Sequence, residues 1–283
     1  MKTQSPDTSL EAEQVLIGMV RKAPVSKRFA FVQSWAASLL EASSQYMQQL
    51  YPQASDGEAR LLFIERQYGK DLTDELRRAL HVHSIHAAVT PNYWQTLRSL
   101  AQIFENLDIP YALSGSLASS LYGLQRASLQ IDFVVDLCEA HLPSLYRHLE
   151  SRYWLQREGI EIAIQQQTNF PLVHLESLLK IIVTLPGKLV LGQQWSHAVR
   201  KLALVEADPP LPVLSPEQMI LSLLDAFKSS NQRADDLWYD LLGIVKVQGS
   251  DLNIPLLERH AAILGMTELF LRALIDAGLR EVS

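Results

Sequence analysis

The stretch YALSGSLASSLYGLQRASLQIDFVVDL, residues 111–137, constrains the fold more than any other part of the chain. It reads as a strand, a small-residue turn, a helix and a second strand. The turn carries Gly115-Ser116. A glycine at such a corner lets the backbone approach a ligand, and the helix that follows presents free N–H groups to an anion. A glycine that only makes the corner satisfies the same pattern, so the next strand has to decide between the two.

That strand, RASLQIDFVVDL, places residues 130 and 132 on one face, because side chains two apart along a strand point the same way. Two carboxylates at this spacing would clamp a divalent cation through oxygen. The chain offers Gln130 and Asp132. Gln130 supplies a neutral carbonyl and removes one negative charge. Asp136 shares the face but lies about 13 Å further along, too far to share one ion.

The rest of the chain organises around this unit. Residues 1–88 read as a helical domain, with Phe31, Trp35 and Leu39 at four-residue steps on one helical face that is expected to be core, as is Tyr46. Ser55 with Glu58 opens a helix that Gly69 ends, and DLTDELRRAL is a further short helix. His81, His83 and His86 follow, as a solvated linker or as same-face metal ligands. Residues 89–207 read as a mixed α/β domain. Thr90-Pro91 opens its first helix and LPSLYRHLESRYW forms another, while IEIAIQQQ, PLVHL and LKIIVTL alternate as strands do. Residues 208–283 read as a second helical domain, opened by Ser215, Pro216 and Gln218.

Composition excludes several classes. Hydrophobic residues make up 48% and charged residues 20% of 283, the profile of an ordinary globular chain. The formal charge of −6 argues against a nucleic-acid partner. No apolar run approaches the length of a membrane span, the N-terminus shows no secretory pattern, and a single cysteine fits a reducing cytoplasm. That residue, Cys138, follows FVVDL and is expected to be small and buried.

The glycine-serine pair, Gly123, Arg126, Ser128, Ile131 and Asp132 together resemble the strand–helix–strand core of nucleotidyltransferase-fold proteins, and most of all the AbiEii-like toxin branch and its bacterial relatives. The resemblance covers about residues 90 to 280 and leaves the N-terminal helical part outside. It implies an α/β (α+β) fold, a nucleotidyltransferase-like mixed sheet with flanking helices. It also implies a nucleotide held by Gly115, Ser116 and Arg126, and magnesium held by carboxylates. Arg126 has a second reading, as the partner of Asp132 or another carboxylate.

The chain departs from the family pattern where the chemistry lies. Asp132 is the retained carboxylate, Gln130 replaces the first, and Ile182 in the Lys180-Ile181-Ile182 triplet replaces the third. A shifted register would bring Glu176 in its stead. Leu223 stands where the family carries a lysine, whereas Asp240 matches. Two readings follow from the resemblance. One is a catalytically degenerate pseudoenzyme that binds a nucleotide, a protein partner or a second copy of itself. The other is an active transferase that moves a nucleoside monophosphate onto a protein or RNA hydroxyl.

Overall fold

The computed structural model describes residues 1–4, 7–83, 92–187 and 198–281. Five helices come first: α1 (Leu10–Lys22), α2 (Val25–Leu50), α3 (Asp56–Tyr68), α4 (Lys70–Val82) and α5 (Tyr93–Asn106). The central segment runs β1 (Tyr111–Ser114), α6 (Gly115–Tyr122), β2 (Gln130–Val135), α7 (Leu142–Leu149), β3 (Tyr153–Trp154), α8 (Arg157–Gln166), β4 (Asn169–His174) and β5 (Lys180–Thr184). After β6 (Val199–Leu202) and β7 (Leu211–Leu214), the chain ends in α9 (Pro216–Ser229), α10 (Asp235–Gln248), α11 (Ile254–Ile263) and α12 (Thr267–Ala277). Among the described residues, parallel and antiparallel strands are ordered β3-β4-β5-β2 and β1-β7-β6, so the fold is mixed α/β with flanking helices, as expected.

The chain divides into two compact units, each assembled from segments distant in sequence. Unit one comprises Met1–Val32, Ala112–Arg126 and Gly187–Ser283; unit two comprises Gln33–Tyr111 and Ala127–Pro186. The division at residues 88 and 207 stands as a proposal about modules of the sequence.

In unit one, β1 runs parallel to β7 with Leu113 opposite Val213, and β6 pairs antiparallel to β7. Residues 117–122 of α6 are all buried, as are residues 240–247 of α10. Both helices are enclosed on all sides over these stretches. Gly123 is the point of closest approach: a β-carbon there would lie 2.6 Å from the Gly243 carbonyl carbon and the Ile244 nitrogen. A buried ion pair, Glu13 Oε1 to Lys246 Nζ at 2.9 Å, ties α1 to α10. Lys246 also donates to the Lys2 carbonyl at 2.6 Å.

In unit two, β2 and β5 are parallel, and β4 is antiparallel to β5 and to β3. Leu61, Ile64, Leu76 and Leu80 of α3 and α4 pack with Val173, Leu175 and Leu178. On α5, Phe104 meets Tyr111 at a tilt and Phe133 edge to face.

Helix starts match the sequence signals. Ser55 Oγ accepts from the Glu58 amide at 3.3 Å, and Ser215 Oγ from the Gln218 amide at 3.2 Å, with Pro216 in the first turn. Gly69 ends α3 at φ 92°.

Several expectations are corrected. IEIAIQQQ lies in α8: Ile160, Ala163 and Ile164 are buried while Ile162 is 52% exposed, so the period of 3.6 prevails over the apparent alternation. Tyr153 and Trp154 leave the expected helix and pair with β4. Leu211–Leu214, placed in a helical region, is strand β7. Cys138 is exposed, because it lies past the end of β2.

On α2 the core face is Phe29, Val32, Ala36 and Met47. Phe31, Trp35, Leu39 and Tyr46, expected in the core, are 42–49% exposed. Helix α5 is capped by Asn92, whose Oδ1 accepts from the Gln95 amide at 2.9 Å. Thr90, Pro91 and His86 lie outside the described residues. Among the described residues, no helix is long and apolar enough to cross a membrane.

Candidate functional site

The sequence-predicted site residues are divided between the two units: Gly115, Ser116 and Arg126 belong to unit one, and Gln130, Asp132 and Ile182 to unit two.

In unit two, Gln130 and Asp132 are half-buried and alternate with the fully buried Ile131 and Phe133, which puts the amide and the carboxylate on one face of β2. The parallel register sets Gln130 beside Lys180 and Asp132 beside Ile182. The position where the resemblance calls for a third carboxylate is thus the direct lateral neighbour of Asp132, and an isoleucine fills it. Beyond Ile182 the next partner is Pro171 of β4.

Glu176 is exposed in the turn between β4 and β5, so the register does not substitute it for Ile182. Asp136 is exposed just past the end of β2.

Asp132 is held by its surroundings. Gln130 Nε2 donates to Asp132 Oδ1, so the amide that stands where the resemblance calls for a carboxylate engages Asp132. The Tyr93 hydroxyl donates to the Gln130 carbonyl at 3.1 Å. Burial, and then the nearby Asp132 charge, push the Tyr93 and Tyr68 phenols above their ordinary range, so both remain neutral. Lys180 Nζ rests over the Tyr68 ring at 4.2 Å, a cation–π contact. The two tyrosines carried no signal in the sequence, because they reach the neighbourhood of Asp132 from α5 and α3, whereas Lys180 belongs to the same triplet as Ile182.

The donor set does not fit a catalytic dication. Magnesium takes oxygen ligands in near-octahedral geometry and relies on carboxylate charge. This face offers one carboxylate that already accepts an amide hydrogen, a neutral amide, and apolar surface at the third position. Among the described residues no group of three or more histidines, cysteines, aspartates or glutamates could hold a metal, His81 and His83 included.

In unit one, Gly115 takes φ 61° and opens α6 directly from the end of β1. The left-handed value favours glycine, so the corner is one that other residues adopt with strain. Ser116 follows it, half-buried in the first turn. Arg126 is bidentate on Asp240, with Nε to Oδ1 at 2.7 Å and Nη2 to Oδ2 at 2.9 Å. Its backbone amide donates to Ser120 Oγ at 3.2 Å. The carboxylate reading of Arg126 therefore has a partner, Asp240, 114 residues away in sequence. Leu223, where the resemblance calls for a lysine, is buried in α9.

No protein-family model matches the sequence. Comparison with the curated proteins gives no match. Among solved structures, the chain is similar to an antigenic nucleotidyltransferase-like protein from Paracoccidioides brasiliensis, with 15% sequence identity, a TM-score of 0.41, and coverage of 64% of this chain and 91% of that one.

Proposed function

We propose that this chain is a nucleotidyltransferase-type scaffold of the AbiEii-like kind whose metal centre has been replaced, and that it works in the cytoplasm as a nucleotide-binding module and not as a transferase. The observation that carries this reading is the pairing of Asp132 with Ile182. Nucleotidyl transfer needs charge neutralisation by bound cations, and an isoleucine beside the one retained carboxylate removes a ligand and adds surface that repels a hydrated ion. Nucleotide binding is supported by the left-handed corner at Gly115 and the free N–H groups that open α6, features that need no metal.

A protein partner or a second copy is the second reading. The exposed stripe of Phe31, Trp35, Leu39 and Tyr46 along α2 favours it.

The test is a thermal-shift series with each nucleoside triphosphate, with and without magnesium or manganese, beside the Asp132→Ala variant. The expected result is stabilisation by nucleotide that is indifferent to metal and retained in the variant. A metal-dependent shift lost in Asp132→Ala would overturn this reading and favour the active transferase instead. No shift with any nucleotide would leave the α2 face as the functional surface.

A further inference from the structure

Unit one contains a cavity of about 320 Å³ at the C-terminal end of α6, about 10 Å along the helix from Gly115. Arg21 of α1, Arg28 of α2 and Arg200 of β6 line it, with Tyr122, Gln248 and Asp251. Asp132, Ile182 and Gly115, on which the proposed function rests, are not among its lining residues.

The first two arginines are fixed in place by backbone carbonyls. Arg28 donates from Nη1 to the Leu121 carbonyl at 2.8 Å, from Nε to Ala23 at 3.0 Å, and from Nη2 to Arg21 at 3.4 Å. Arg21 donates from Nε to Val247 at 2.8 Å and from Nη2 to Lys246 at 2.6 Å. A guanidinium has five N–H donors, so both side chains keep donors in reserve. Gly249 makes room for Arg21, since a β-carbon there would lie 2.8 Å from Nη2.

Neither arginine has a carboxylate partner among the described residues, although Arg28 is only 9% exposed. Burial alone lowers its pKa. The carbonyls at helix C-termini offset part of the charge, but a buried cation is ordinarily met by an anion.

A second group in the cavity wall points the same way. Tyr122 is 4% exposed and its hydroxyl has no hydrogen-bond partner among the described residues. Burial keeps the phenol neutral, opposed by the charge of Arg200 in the same cavity wall and aided by that of Glu217. A buried O–H donor without an acceptor is rare in folded proteins.

We propose that this cavity is an anion site that takes a phosphate or pyrophosphate group without a metal ion. Arg28 and Arg21 supply preset charge, Arg200 closes over the anion from β6, and Tyr122 Oη donates to one of its oxygens. Two carboxylates temper the field: Glu217, whose Oε2 accepts from Arg200 at 3.3 Å, and Asp251 in the wall. Three guanidiniums against two carboxylates favour a compact anion over a long polyphosphate chain.

Calorimetric titration of inorganic phosphate, pyrophosphate and adenosine 5′-monophosphate into the full chain, with a chelator present, tests the site. Saturable binding is expected, with a melting midpoint raised by about 3 °C or more at a hundredfold excess over Kd. Tighter binding of the monophosphate ester than of phosphate would mean that the organic moiety is held too; equal binding would mean that the free anion alone is recognised.

Tyr122→Phe removes only a hydroxyl that has no hydrogen-bond partner among the described residues. Its ligand-free midpoint should stay level or rise while affinity falls about tenfold, the weight of one hydrogen bond to a charged group. Arg200→Ala, on an exposed strand, should lose binding and still fold. Absence of saturable binding, or affinity unchanged in both variants, would overturn the proposal, the second by moving the signal to another site.

Discussion

Asp132 and Ile182 are lateral neighbours on parallel strands, and the amide of Gln130 closes over the same carboxylate. A metal centre of the nucleotidyltransferase kind would need oxygen ligands at all three positions, and two of them carry none that is charged.

Replacing both positions should therefore create a cation site. The Gln130→Asp/Ile182→Asp double variant is expected to bind manganese at least about tenfold more tightly than the natural chain, a gain of about 1.4 kcal/mol. Its metal-free melting midpoint should fall, because three like charges would share one face. Titration calorimetry with manganese and a metal-free thermal melt check the two points, and equal affinity in the two proteins would mean that these positions do not converge on one ion.

Gly123 is one of the residues that carry the resemblance, and its structural role lies in the packing of α6 on α10. Gly123→Ala would force a methyl group against backbone atoms 2.6 Å away and should cost about 1–3 kcal/mol. Gly18 is the control: it lies inside α1, where an added methyl group would meet nothing within 4 Å, and Gly18→Ala should stabilise by up to about 1 kcal/mol. Denaturant melts of the two variants should move in opposite directions.

The Glu13–Lys246 pair is almost completely enclosed, with side-chain exposures of 2% and 1%. Lys246→Met strands the Glu13 carboxylate in the interior and should destabilise the protein by about 3–5 kcal/mol. The Glu13→Gln/Lys246→Met double variant should recover more than half of that loss, since no charge is then left buried. A double-mutant cycle in urea measures the coupling.

His174 should make stability depend on pH. Burial first, and the Arg152 charge second, lower its pKa from 6.5 to about 4. Its Nδ1 accepts from the Ser177 amide at 3.2 Å, and the ring packs on Tyr153. The unfolded chain binds the proton near pH 6.5 and the folded chain only near pH 4, so the unfolded state holds more protons between these values. Stability is complete above pH 6.5 and falls as the pH drops to about 4, by about 3 kcal/mol in total. His174→Asn, which retains an acceptor for Ser177, should flatten that part of the pH–stability curve.

Local chemistry was legible in the residues themselves. The β1–α6–β2 segment, the caps at Ser55 and Ser215, the stop at Gly69 and the single carboxylate of the 130/132 pair all depend on neighbours a few positions away. Packing decided the rest. Ile160, Ile162 and Ile164 suit a strand or a helix, and burial of Ala163 with Ile160 and Ile164 selected the helix. The α2 pattern allowed two apolar faces, and contacts made by Phe29, Val32, Ala36 and Met47 left Trp35 outside. Asp240 became the partner of Arg126, and Arg21, Arg28 and Arg200 came to share one cavity with Tyr122, through tertiary placement of segments far apart in the chain. Propensity and capping act over a turn or two of backbone, whereas strand register, ion pairs and cavities exist only once distant segments have packed.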